Sequence, residues 1–105
     1  MSKTVHTEAV KHLFEAVLQL ENVEECYQFF EDVCTINELL SLSQRFEVAK
    51  MLTENKTYLE IAEQTGASTA TISRVNRSLN YGNDGYQMVF LSLIHISEPT
   101  RQAEI

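Results

Sequence analysis

T-Y-L-E-I-A-E-Q-T-G-A-S-T-A-T-I-S-R-V-N-R-S-L-N, Thr57 to Asn80, is the stretch whose reading decides the fold. It reads as two short helices joined by a tight turn. Ile61 and Ala62 share a face of the first helix, and Gly66 stands where the turn needs a positive φ. Ser68 caps a second helix whose apolar face is Ile72, Val75 and Leu79, at helical spacing. Ala62 is small enough to let the second helix cross closely. A small residue, a glycine four positions on, and apolar residues six and nine beyond it form the helix-turn-helix pattern. In that pattern the second helix enters the major groove of DNA. Two packed helices with no role on DNA are the competing reading.

Around this stretch the chain is helical. Its 105 residues suit one domain with a modest core, and 44% hydrophobic content is that of a globular chain. One proline and three glycines permit long helices, and no strand-like alternation is sustained. An all-α fold follows. Val5 to Leu20 carries the stripe Ala9, Leu13, Ala16, Val17 and Leu20, widened by Phe14 and Leu18. A helix so broadly apolar needs burial on more than one side, by a partner subunit or within a monomer core. A second stripe is Val23, Cys26, Tyr27, Phe30, Val33 and Cys34, with Phe29 beside it. Both cysteines fall on apolar stripes and are expected as buried thiols rather than a disulfide, and two cysteines alone make no zinc site. Thr35 with Glu38 forms a capping box that opens a helix to about Glu54, with Leu39, Leu42, Phe46, Ala49 and Leu52 as its core stripe. Glu47–Lys50 and Lys50–Glu54 spacing adds surface support. Asn55 stops that helix, and Thr57 with Glu60 makes a second capping box.

After Asn80, the Tyr81-Gly82-Asn83-Asp84-Gly85 segment makes a turn, and Tyr86, Val89 and Phe90 begin another apolar stretch. Leu91 to Ile105, L-S-L-I-H-I-S-E-P-T-R-Q-A-E-I, continues no clear amphipathic pattern and resembles a translated adapter or vector read-through. Residues 1–90 are therefore read as a single domain and 91–105 as a non-native or disordered tail. A short final helix ending before Pro99 is the alternative.

The net charge of -7 works against indiscriminate DNA binding, but it is unevenly placed. Eight acids precede Ser41 against only Lys3 and Lys11, while Ser68 to Asn80 holds Arg74 and Arg77 and no acid. The acidic half can face away from DNA while the neutral-to-basic edge meets phosphates. On the reading helix Thr69, Ala70, Thr71, Ser73, Arg74 and Arg77 are the exposed positions. Threonine hydroxyls and methyls suit base edges, Ala70 permits close approach, and N–H groups next to the Ser68 cap can hold a phosphate. Lys56, Thr57 and Tyr58 front the first motif helix as phosphate contacts, and Arg77 reaches a phosphate or solvent. Helix-surface solvation is the competing reading for each threonine.

Two segments, S-L-S-Q-R-F-E-V-A-K-M-L at Ser41 to Leu52 and A-T-I-S-R-V-N-R-S-L-N-Y-G at Ala70 to Gly82, resemble the Trp-repressor superfamily, most closely its YerC/YecD branch. The resemblance is close over about half the chain, and the A-T-I-x-R core joined to a long preceding helix is more specific than a generic helix-turn-helix. It implies a Trp-repressor-like helical bundle that forms an intertwined homodimer, with two reading heads on one side. It also implies an effector pocket. Arg45 and Arg74 match the two arginines that hold tryptophan in the repressor, and Thr35 and Ser78 match other ligand-contacting positions. Where the repressor has a glycine against the indole ring, this chain has Val75, so tryptophan is not the expected ligand. A self-filled pocket and a different small effector both remain open. By position alone Arg74 is also a DNA contact.

An enzyme is rejected. His6 and His12 lie six apart on different helix faces, Cys26 has no nearby histidine, and no phosphate-binding glycine loop or H-E-x-x-H spacing occurs. No cofactor, no metal and no catalytic residue are expected. No apolar run approaches a membrane span and no signal peptide opens the chain, which places the protein in the cytoplasm. The functions left are a sequence-specific DNA-binding transcriptional regulator, with the repressor sense coming from the resemblance; a helical protein–protein interaction module; and a small-effector sensor. Double-stranded DNA and a second copy of the chain are the expected partners.

Overall fold

The computed structural model describes residues 3–97, and all its regular elements there are helices. They are α1 (Glu8–Val17), α2 (Val23–Val33), α3 (Ile36–Thr53), α4 (Tyr58–Thr65), α5 (Thr69–Tyr81) and α6 (Gly85–Ser97). Short polar side chains start most of them by taking up the orphan N–H groups of a first turn. The hydroxyls of Thr7, Thr35, Thr57 and Ser68 and the Asn22 carboxamide each accept a backbone N–H three residues on, at 2.9–3.1 Å. Glu38 and Glu60 close the two expected capping boxes by accepting the Thr35 and Thr57 N–H groups at 2.8 and 2.9 Å. Asn55 ends α3 at φ 63, and Gly66 ends α4 at φ 75. The helix expected from Val5 to Leu20 is shorter, because the Thr7 cap delays its start and the backbone turns at Leu18 and Gln19.

The chain divides into two compact units, Met1–Leu39 and Leu40 onward. The second holds the core: Val48, Ala49, Ile61, Ala67, Ile72 and Val75 are buried together, with Met51, Leu52, Ala62, Tyr86 and Phe90 packed against them. Val48 was absent from the expected α3 stripe, yet it is fully buried. Each fully buried Val or Ile contributes about 1.5–3 kcal/mol by leaving water. Phe46 of α3 meets Phe90 of α6 at 5.2 Å between ring centroids, and Gln87 donates to the Leu79 carbonyl at 2.8 Å. The start of α6 is thereby fixed against the core. Leu91 to Ser97 continue that helix, whereas Pro99, Arg101 and the rest of the read-through-like tail lie outside the described residues.

The first unit buries none of its helical side chains: Phe14 is 58% and Leu18 79% exposed. Phe29 and Phe30 make an edge-on pair at 5.5 Å. The cysteines are free, but Cys26 is exposed rather than buried, because the apolar side of α2 is uncovered in a single chain. The Glu47–Lys50 and Lys50–Glu54 pairs do not close to ion-pair distance; among the described residues the one such approach is His12 Nε2 to the Glu8 carboxylate, at 3.8 Å, an ion pair only when the imidazole is protonated. Surface charges at this spacing stay solvated because holding two long side chains together costs entropy for little Coulomb gain.

Candidate nucleic-acid interface and adjoining hollow

The α4–turn–α5 segment is built as its sequence requires. Ile61 and Ile72 interlock in the core, Ala62 packs beside them, and Gly66 turns the chain in the left-handed conformation while its N–H reaches the Ala62 carbonyl at 2.8 Å. The buried face of α5 is Ile72, Val75 and Leu79. Its opposite face presents Thr69, Ala70, Ser73, Arg74 and Arg77 to solvent. No carboxylate stands within ion-pair distance of either arginine among the described residues, so both guanidiniums are free for an anion.

At the N-terminus of α5, the Ser68 hydroxyl accepts the Thr71 N–H and donates to the Thr71 hydroxyl, both at 3.1 Å. Thr71 is half-buried rather than exposed, and as an acceptor in that bond its hydroxyl keeps its own proton for an outside acceptor. Ser68 is exposed, so the cap and the neighbouring N–H groups face solvent. Thr57 spends its hydroxyl on the capping box, Tyr58 is at the margin of exposure, and Lys56 is half-buried with its N–H on the Met51 carbonyl at 3.1 Å. Hydrogen bonds from the Thr57 N–H, and then the Thr57 hydroxyl, hold the Glu60 carboxyl below its usual range, with Lys56 adding attraction.

Arg45, Arg74, Val75 and Ser78 line one hollow of about 330 Å³, together with Leu42, Phe46 and Tyr86. Four of the five positions expected for an effector pocket are therefore adjacent. The fifth, Thr35, belongs to the first unit, where its hydroxyl serves the α3 cap. Val75 is only 2% exposed, filling space on the core side of the hollow. The sequence does not mark Leu42, Phe46 and Tyr86 as lining residues, because their apolar spacing reads as core. The only hint was that Phe46 follows Arg45. Among the described residues no group of three or more His, Cys, Asp or Glu stands together to hold a metal.

The family model described as Trp repressor protein matches residues 8–94. The chain belongs to that family. It is 64% identical over 76 residues to the uncharacterized protein YerC of Bacillus subtilis (strain 168), covering 72% of this chain and 73% of YerC. It superposes on the crystal structure of a TrpR like protein from Eubacterium eligens ATCC 27750 with a TM-score of 0.83 and 73% identity, over 85% of this chain and 92% of that one. The crystal structure of a proposed Trp repressor from Staphylococcus aureus superposes with the same TM-score, 0.83, at 54% identity over 88% of this chain and 95% of that one. The all-α, Trp-repressor-like fold and the YerC-type affinity expected from the two quoted segments thus hold. The family is one of DNA-binding regulators, and no helix among the described residues is long and apolar enough to cross a membrane.

Proposed function

We propose that this Trp-repressor-family chain is a cytoplasmic, sequence-specific transcriptional regulator, a repressor in sense, that binds a two-fold DNA site as a homodimer. The observation that carries the reading is the solvent face of α5: small hydroxyl side chains leading, two unpaired arginines following, and no acid on the helix. Thr69, Ala70, Thr71 and Ser73 are the base-reading positions. Lys56, Thr57, Tyr58, Ser68 and Arg77 position the phosphates. The dimer is supported by the uncovered apolar residues of α1 and α2, which a second copy would bury. Residues 1–90 are the working domain.

The hollow between Arg45 and Arg74 suits a small anionic effector other than tryptophan, with Ser78 as a hydrogen-bonding partner. Val75 takes up core-side volume there, so an indole is disfavoured. The regulator reading is tested by competing genomic fragments against random duplex at low salt with the purified protein. A genomic fragment held at least ~10-fold better supports it. Equal retention of genomic and random duplex rejects it, and retention of neither points instead to a protein-interaction module.

A further inference from the structure

The last turn of a helix leaves carbonyls without partners, and α4 ends in a turn that must also present α5. The Thr65 carbonyl belongs to that last turn. The Gln44 carboxamide, from α3, donates to it at 3.1 Å in a half-buried position, across 21 residues of sequence. Thr65 completes the bracket with its own hydroxyl, which donates to the Ile61 carbonyl at 2.7 Å and accepts the N–H of buried Ala67 at 3.1 Å. Gln44 lies one helical turn before Val48 and so shares its core-facing side of α3. A glutamine on that side stays there because its amide has a partner.

We propose that Gln44 is a positioning residue for the reading helix: by holding the Thr65 carbonyl it fixes where the α4–α5 turn leaves the core, and hence how Thr69, Ser73 and Arg77 are presented. This rests on the DNA-binding reading above. No DNA contact is assigned to Gln44 itself. Its neighbour Arg45 lines the hollow, so two successive residues of α3 serve the turn and the hollow respectively.

Gln44→Met keeps the length and volume of the side chain and removes the donor. Amide hydrogen exchange is measured on the full chain without DNA, and binding to the duplex that the unsubstituted protein prefers and to random duplex is measured at one salt concentration. The expected result is a roughly tenfold faster exchange at Gly66 and Ala67 than in the unsubstituted protein, with Ile72 and Val75 changing far less. Affinity for the preferred duplex falls about tenfold while affinity for random duplex falls far less, since base contacts need closer placement of the helix than phosphate contacts do. Equal acceleration at all four amides, or a specificity ratio that does not move, overturns the proposal. A wild-type protein with no preferred duplex overturns the DNA reading on which it rests, and the exchange result is independent of that failure.

Discussion

Phe46 and Phe90 lie 5.2 Å apart between ring centroids, tilted by 46°, and so join the long helix α3 to the start of α6. Phe90 also stacks on Tyr86, at 6.1 Å and 17°. Tyr86 and Phe46 in turn line the arginine hollow. One aromatic chain therefore couples the packing of α6 to the shape of the candidate effector site. Phe90→Ala is expected to cost about 2–4 kcal/mol, below a fully buried phenylalanine because Phe90 is only partly buried. Urea denaturation measures the loss. Deleting the residues after Ser97 leaves α6 whole and is expected to leave the preferred duplex unchanged in a binding competition.

Val75→Gly tests whether the valine excludes an indole. The substitution removes a side chain that is 2% exposed and puts glycine inside α5, for an expected loss of about 2–4 kcal/mol. It also opens the core side of the hollow. Calorimetry should detect tryptophan binding to the variant and none to the unsubstituted protein. Heat from both, or from neither, removes Val75 as the reason for the expected loss of tryptophan binding.

Gly66 and Gly82 resist substitution for different reasons. At Gly66 an added Cβ meets nothing within 4 Å, but φ is +75, so Gly66→Ala costs about 1–2 kcal/mol through backbone conformation alone. At Gly82 an added Cβ would run into the Ser78 carbonyl. Gly82→Ala must therefore displace the end of α5, and its cost should exceed that of Gly66→Ala in the same denaturation assay.

The Thr57–Glu60 capping box should give α4 a pH dependence. The folded-state carboxyl of Glu60 is held below its unfolded value, so its stabilising contribution is complete above the ordinary glutamate range and is lost as pH falls through the lowered value. Glu60→Gln can still accept the Thr57 N–H but does not titrate. In thermal melts followed from neutral to acid pH, the wild-type protein should lose more stability than this variant.

Arg77 is exposed and has no acidic partner among the described residues. Arg77→Ala should weaken binding to specific and random duplex alike and lower the salt dependence by about one unit per copy in the complex. Thr69→Ala or Ser73→Ala should instead lower the preference for the chosen site and leave the salt dependence alone. Fluorescence anisotropy at several salt concentrations separates the two patterns.

Much of this architecture was legible in the sequence because it is written in local chemistry. Thr35–Glu38, Thr57–Glu60, Gly66 and Ser68 are caps and turns whose partners lie within four residues. The buried face of α5 follows from helical spacing. Arg45, Arg74, Val75 and Ser78 fell in one hollow because the resemblance aligned them, although nothing in their spacing would have brought α3 and α5 together. What escaped was long-range or ambiguous. Gln44 reaches Thr65 across the fold with no local mark. Tyr86 looks like core and also lines the hollow, and Cys26 sits on an apolar stripe that the single chain leaves uncovered.

The most direct measurement is a binding-site selection from random duplexes with the purified full chain, at low salt and without added ligand. The account predicts an enriched two-fold motif with half-sites about one or a few helical turns apart, each read by one copy of α5. Selection that enriches nothing, repeated with small carboxylates and phosphates present, would contradict the claim that this α5 face reads DNA.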